Sequence, residues 1–420
     1  MLIVPYSLLI VLLRDLCRHL LEELPQSDLL RYETSLAQVD LAALFGAEGE
    51  KITAALTLPE RAARLQQVVN QALRLHSYLD QALRQAPWLP GEAEAGLRLW
   101  LAAIAKVIHD ETSLEPDPDR PGYFIVTERP HGKKGHYRHA CANDLDASYR
   151  DHGRGQPPHI QYNNSLVASP HFIHAVQAVT GATPDPVPLP GMLQRLFERH
   201  GYFPPKVTAD QIYGTGKYRA LVDQVSGGQT LLVALLPDYE KRTDRFVPSD
   251  FIPLADGLGL TCPNGVTTTR WFLKPGSDGI EFRFTAKMCR GCPFWLSAEQ
   301  LALNPTLPHC RLPDGQPNAH RDVFISDYRP YILAAAAYNQ TEQFKRDIRQ
   351  RPLIERIIFN LTHYFGARHA RSTGLAKVNF QLRMAATAFN LRQLVRRLTP
   401  HQTRLKTEAP LLPLPEATMA

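Results

Sequence analysis

Two acidic residues in this chain stand where a carboxylate could take part in chemistry. Asp210 follows the short run "KVTA" and precedes a turn containing Gly214 and Gly216. Glu355 lies in "RPLIERIIFNLTHYFG", residues 351–366, one helical turn after Arg351, and is the only acid of that segment. Two carboxylates, one at a strand end and one on a helix, in a setting rich in arginine, suit metal-assisted phosphodiester chemistry. Mg2+ takes oxygen ligands, and two ions about 3.5–4 Å apart can hold the attacking and departing oxygens of an in-line displacement. Each acid also has a plainer role open to it. Asp210 could cap the turn that follows it. Arg351 and Glu355 could be an exposed i,i+4 pair worth under ~1 kcal/mol.

A second group is built from sulfur. Cys262 in "TCPNG", Cys289 and Cys292 in "MCRGCPFW" and Cys310 in "PHCRLPDG" supply four thiols, two of them as CxxC. Four thiolates suit tetrahedral Zn2+, and a loop-rich segment gains order from such a site. Buried free thiols and a redox role are the alternatives. Cys17 and Cys141 lie apart and read as structural. In "HGKKGHYRH" the histidines His131, His136 and His139 mark either a basic loop facing a polyanion or a solvated one.

The elements that must position these groups follow from periodicity. Residues 1–110 read as a helical N-terminal region, in which Leu65, Val69, Ala72, Leu75, Leu79 and Ala82 recur at helical spacing. The segment "EPDPDRPG" ends it. Residues 123–237 then read as strands and one strand-helix-strand unit: a strand into Ala209, a helix from about Gly216 to Val225, the Gly227-Gly228 stop, and "LLVALLP" as a buried strand. Asp210 falls at the carboxyl end of the first strand, where side chains of open α/β sheets converge. Residues 238–330 form a Cys-rich insertion. Residues 331–400 are helical again, with Ile354, Ile357, Ile358, Leu361 and Phe365 as one apolar stripe, and 401–420 read as a loose tail.

Composition bounds the rest. A chain of 420 residues with 44% hydrophobic and 21% charged residues is globular and holds more than one lobe; 34 prolines imply many breaks. The net charge of +6 is unevenly placed. Residues 341–398 hold twelve Lys or Arg against three acids (Glu342, Asp347, Glu355), an excess of nine positive charges, so the remainder sums to −3. That concentration is the footprint of a polyanion-binding face. Six cysteines in a chain of this length are not a secreted disulfide framework. The apolar start, as far as Leu13, is shorter than the ~20 residues of a membrane span. A cytoplasmic protein with no membrane partner is expected.

At this point a resemblance becomes specific. "VTADQIYGTGKYRALV" resembles the segment carrying the second catalytic aspartate of DDE transposases from bacterial insertion sequences. "RPLIERIIFNLTHYFGARHARSTGLAKVNFQLRMAATAFNLRQL" resembles their closing block, where Arg, three residues and Glu precede an aromatic, a basic helix and an Ala/Asn-rich helix. "NDLDASY" and "VTGATPD" look like segments ahead of the aspartate strand, so the likeness runs from about 140 to 398. It implies an α/β fold, a ribonuclease H-like mixed sheet flanked by helices. It also implies Asp210 and Glu355 as ligands of Mg2+ or Mn2+, and Arg351 touching a DNA phosphate or orienting Glu355. Arg356, Arg368, Arg371 and Lys377 would then be DNA contacts, in a homodimer on DNA that cleaves and transfers strands. Gln211 and Ile212 depart from the family's Lys-Gly, and Thr362 from its usual lysine. No Asp-Ser-Thr-like strand for the first aspartate is found, so the chain is expected to lack the N-terminal part of such an enzyme. Asp110, Asp144 and Asp146 are fallback candidates for that ligand. The rival readings are a catalytically dead DNA-binding remnant of a transposase and a zinc-stabilised interaction protein.

Overall fold

The computed structural model describes residues 7–24, 36–46, 56–85, 91–130, 133–135, 137–150, 159–241, 245–274, 276–296, 298–303, 309–310 and 320–398. His131, His136 and the expected tail at 401–420 lie outside the described residues. The chain divides into two compact units that do not follow it linearly. The first comprises Met1–Asn164, Gln177–Thr183 and His369–Met384, and the second Ser165–Val176, Pro184–Arg368 and Ala385–Ala420.

The first unit begins with the helices α1 (Ser7–Glu22), α2 (Leu41–Phe45), α3 (Leu58–Arg84) and α4 (Gly91–Glu111). Helix α3 starts sharply because "TLPE" is a capping box. The Thr57 amide donates to Glu60 Oε2 at 2.6 Å, the Glu60 amide donates back to the Thr57 hydroxyl, and a proline sits in the first turn. Its predicted stripe, Leu65, Val69, Leu75 and Leu79, is buried against Leu13 and Leu16 of α1 and Leu97, Leu101 and Ile104 of α4. Leu9, Ile10 and Leu13 of the apolar start thus find their partners in a helical core. No helix among the described residues is long and apolar enough to cross a membrane.

Strands β1 (Thr112–Pro116) and β2 (Phe124–Glu128) form an antiparallel hairpin around the "DPDRPG" turn. Beyond it, Lys134, Arg138 and His139 turn inward. Lys134 pairs with Glu111 at 2.7 Å and Glu128 at 2.5 Å, and Arg138 pairs with Glu111 at 2.8 Å while lying over the Tyr149 ring. Burial lowers the pKa of His139, whose Nδ1 meets the Leu145 carbonyl at 3.0 Å. These side chains are engaged in the unit itself, not presented as the polyanion-facing loop that their spacing allowed.

Strands β3 (Ser148–Arg150), β4 (His159–Ala168) and β5 (Ile173–Thr180) make a three-stranded sheet in that order. Within the first unit, the free edge of β5 is covered by Asn379 on the last helix (Leu375–Leu398): its amide accepts from the Ala178 N–H at 2.8 Å and donates to the Ala178 carbonyl at 3.1 Å. That helix is capped from afar. Asp146 accepts from the Leu375 amide at 2.7 Å, while Asp144 takes the Tyr162 hydroxyl at 2.6 Å and the Gly374 amide at 3.3 Å. Asp110 is buried, pairs with Lys106 and with His109 at 3.1 Å, and sits so close to Gly135 that a Cβ there would meet its Oδ1 at 2.1 Å. All three fallback aspartates are therefore committed to structure. Asp146→Ala should cost ~1 kcal/mol, the usual loss for an N-cap acceptor, read as a lower urea midpoint with unchanged slope.

The second unit contains α5 (Leu189–His200), β6 (Lys206–Thr208), α6 (Gly216–Ser226) and β7 (Leu231–Val233), with β6 and β7 parallel. Gly227 closes α6 in the left-handed conformation, φ +57°. The predicted strand-helix-strand unit is formed, with the helix within a residue of its expected end, but the second strand is only Leu231–Val233, four residues shorter than the apolar run, and its first residue is exposed. Two small antiparallel sheets follow, in the segment that holds four of the cysteines. One joins β8 (Ile252–Pro253), β9 (Leu260–Thr261) and β10 (Thr267–Thr268), and the other joins β11 (Trp271–Leu273), β12 (Gly279–Phe284) and β13 (Arg321–Ser326). Between β12 and β13 run the short helices α7 (Ala286–Cys289) and α8 (Ala298–Leu303). Phe251, Leu260, Phe282, Phe284 and Val323 are their common core. The unit ends with α9 (Arg329–Asn339), α10 (Glu342–Ile348), α11 (Pro352–Tyr364) and the second half of the last helix, α12, on which Asn390 grips Ile173 of β5 as Asn379 grips Ala178.

The chain is mixed α/β, and among the described residues the parallel β6–β7 pair and the antiparallel β3–β4–β5 sheet form separate hydrogen-bonded ladders. Val167 of β4 and Ala175 of β5 pack on the core of Leu193, Val222 and Leu232 without joining that ladder. Which strands pair is decided by tertiary packing, and local alternation does not encode it.

Candidate active site

Asp210 is placed by the β6–α6–β7 unit. The last ladder bond runs from the Ala209 amide to the Val233 carbonyl at 2.9 Å, and the chain then enters a 3-10 turn, Gln211–Gly214. Asp210 precedes that turn but its side chain makes no cap hydrogen bond, so the plainer role is not the one it fills. Three contacts hold the turn. The Tyr213 hydroxyl donates to the Asp185 carbonyl at 2.9 Å. Gln211 donates to Asp238 at 2.6 Å, an acid that follows β7 at the same end of the parallel pair. Arg219 of α6, only 7% exposed, donates to the carbonyls of Gly214 at 2.9 Å, Leu232 at 2.8 Å and Ala234 at 2.8 Å. Burial lowers its pKa to about 10, which leaves it protonated near neutrality. Gly214 lies so near β7's extension that a Cβ would stand 1.9 Å from the Leu235 carbonyl oxygen. Gly214→Ala is therefore expected to cost ~2 kcal/mol, as overpacking against backbone does, measured by thermal unfolding.

Glu355 is placed by α11, which starts with Pro352 in its first turn. Ile357 and Leu361 are buried against Ala385, Ala386 and Phe389 of α12 and Ile173 of β5. Ile358, expected on that stripe, is instead 43% exposed and lies on the Arg351 side of the helix. Glu355 faces away from the buried face. The two acids meet at Arg351: its Nε donates to Asp210 Oδ1 in a direct ion pair, and its Nη2 stands 3.5 Å from Glu355 Oε1. The side chains of Asp210 and Glu355 remain 54% and 64% exposed. In that setting each pair with Arg351 is worth at most ~1 kcal/mol, so the carboxylates stay open to other cations.

As donors these two groups suit a hard cation. Mg2+ is commonly held by one or two carboxylates together with waters and substrate phosphates. Among the described residues no three His, Cys, Asp or Glu side chains form a ready ligand set. The expected DNA contacts are on the surface. Arg356 and Arg368 are exposed in the second unit, Arg371 and Lys377 in the first, and none has an ion pair among the described residues.

The four cysteines Cys262, Cys289, Cys292 and Cys310 are drawn together beside the sheets that follow β7. They line one cavity of about 20 Å³ with Phe251, Phe284 and Trp295. Burial, reinforced by the neighbouring thiols, raises Cys289 to about 11, and burial raises Cys310 to about 12. They share the cavity without standing as a coordinating set. Arg219 and Asp238 escaped the sequence reading: an arginine on a helix with a mixed face reads as a surface residue, and Asp238 lies in a proline-rich segment with no pattern of its own.

Compared with known families, residues 261–395 match a family model described as a transposase DDE domain. The matched span includes Arg351 and Glu355 and leaves out Asp210, and it supports a transposase of the DDE class. Searches of curated proteins and of solved structures returned no match.

Proposed function

We propose that this protein is a DDE-type transposase of a bacterial insertion sequence, which cleaves DNA at the element ends and transfers the strands with Mg2+ or Mn2+. The observation that carries this reading is the meeting of Asp210 and Glu355 at one guanidinium, from segments far apart in sequence. The family match over the segment holding Glu355 supports it. In this reading Asp210 and Glu355 hold the cation through their exposed oxygens, together with phosphate oxygens of the DNA. Bound there, the ions would activate a water or a 3′-hydroxyl and stabilise the departing oxygen. Arg351, Arg356, Arg368, Arg371 and Lys377 would neutralise phosphates, in a homodimer acting in the cytoplasm on a ribonuclease H-like core. Each phosphate neutralised steepens the fall of affinity with salt.

The test is a filter-binding and cleavage assay on duplexes carrying terminal-repeat DNA. Binding that weakens steeply between low and physiological salt, with nicking that requires Mn2+ or Mg2+, is expected. Salt-insensitive association without nicking would remove the proposal. Salt-sensitive binding with no nicking under any divalent ion would instead favour the DNA-binding remnant.

The shared thiol cavity favours structural zinc as a second feature of the insertion, with the side chains rotating inward to close on the ion. About one zinc per chain is expected by elemental analysis, lost together with the insertion's thermal stability in Cys289→Ser. A metal-free wild type of unchanged stability would leave the four cysteines as plain core residues.

A further inference from the structure

The face of α11 that carries Arg351 and Glu355 continues through Phe359, Thr362 and His363, since residues four apart stack along a helix. On the opposite face Ile357 and Leu361 are buried. Phe359 therefore contributes nothing to the core: it is 49% exposed. Its ring lies flat on His363, centroids 3.9 Å apart and planes within 22°, and Tyr364 meets it edge-on at 6.1 Å. Contacts of His363 Nδ1 with the Phe359 carbonyl at 3.0 Å and the Thr362 hydroxyl at 3.1 Å fix that arrangement. Single exposed aromatics are common and need no explanation. Here two stacked rings, held in place, begin one helical turn, about 6 Å, beyond Glu355.

The surroundings select the occupant. From 352 to 398 the chain has eight Lys or Arg and one acid, Glu355 itself, so an anionic partner is favoured. A flat, rigid ring pair beside that charge is the combination that binds unpaired bases, since every base has a face to stack and a phosphate beside it. We infer that the Phe359–His363 pair is a stacking platform for an unpaired nucleobase next to the phosphodiester held at Asp210 and Glu355. This rests on the transposase reading, and it adds a base-binding subsite to one described so far only by charge. The subsite takes a base of any identity and discriminates paired from unpaired DNA.

Two probes test it on the full chain: a duplex with one 2-aminopurine in a single-base bulge, and the same duplex fully paired. With the wild type and Phe359→Trp, emission of the bulged probe should be quenched on binding. Phe359→Ala should abolish the quenching and weaken binding of the bulged duplex roughly tenfold, with paired-duplex affinity and its salt dependence unchanged. Phe359 is exposed, so its folding should be intact, which circular dichroism verifies. Equal quenching by Phe359→Ala and wild type would overturn the platform while leaving the DNA reading standing. A wild type that binds neither duplex would overturn the transposase reading and the platform with it. Should Phe359→Ala convert a dimer to a monomer in sedimentation without altering the quenching, the rings are a contact between copies and the inference is wrong.

Discussion

Asp210→Asn and Glu355→Gln are each expected to lower Mn2+-dependent strand cleavage by ~10²–10³-fold, while duplex affinity at fixed salt changes little. The size follows from charge. In the proposed mechanism each variant replaces an anionic oxygen donor by a neutral one at the point where divalent ions would offset developing negative charge, a contribution of several kcal/mol, and every 1.36 kcal/mol is tenfold in rate. Asparagine keeps an acceptor for Arg351, so the ion pair becomes an ordinary hydrogen bond and the fold should stand. If the two acids hold the ions as one unit, as proposed, the double variant should be no worse than the poorer single one. Mn2+ titration followed by electron paramagnetic resonance supplies the second readout, with weaker binding expected in both. Cleavage unaffected by either change would show that these carboxylates are not the ion's ligands.

Arg219→Leu is expected to be the most destabilising single change in the second unit, by about 3 kcal/mol or more. Two effects oppose one another. Removing a buried cation recovers its desolvation cost, but three backbone carbonyls, of Gly214, Leu232 and Ala234, lose their donor at once. An unmet buried acceptor costs ~1–3 kcal/mol, and these three are fixed by the turn and the end of β7, so they cannot swing out to water. The carbonyls should win. Arg219→Lys, with one compact donor group in place of a fork, should fall between the two. Denaturant unfolding measures both. A neutral Arg219→Leu would mean that the turn after Asp210 is held by Gly214 and Tyr213 alone.

What the sequence made legible divides along physical lines. The strand-helix-strand unit around Asp210 was readable because each of its parts is local: a β-rich run, a helix with its glycine stop, a second apolar run. Helix α11 was readable for the same reason, although Ile358 shows that a stripe of isoleucines can be wider than the face that is buried. The meeting of Asp210 with Glu355 was reached through family likeness, and the structure adds what that likeness could not state, the guanidinium between them. Pairings distant in the chain were out of reach. Nothing local in "NDLDASY" announces that Asp146 will cap a helix starting at Leu375, and nothing in α12 announces that its asparagines will cover β5. Which strands share a ladder was out of reach on the same ground. Arg219 was hidden because its partners are carbonyls, which every residue has.

The hairpin of β12 and β13 has a consequence for the segment between its strands. Phe284 and Arg321 face each other on its last rung, so the passage with Cys289, Cys292 and Cys310 departs and returns at the same place. In strand register it is an excursion from the hairpin. A two-residue Asn-Gly link of the kind that joins tight hairpins could span that rung, at the expense of the contacts that Met288, Cys289 and Cys310 make with the core. The pairing of β12 with β13 therefore sets no length for the passage between them.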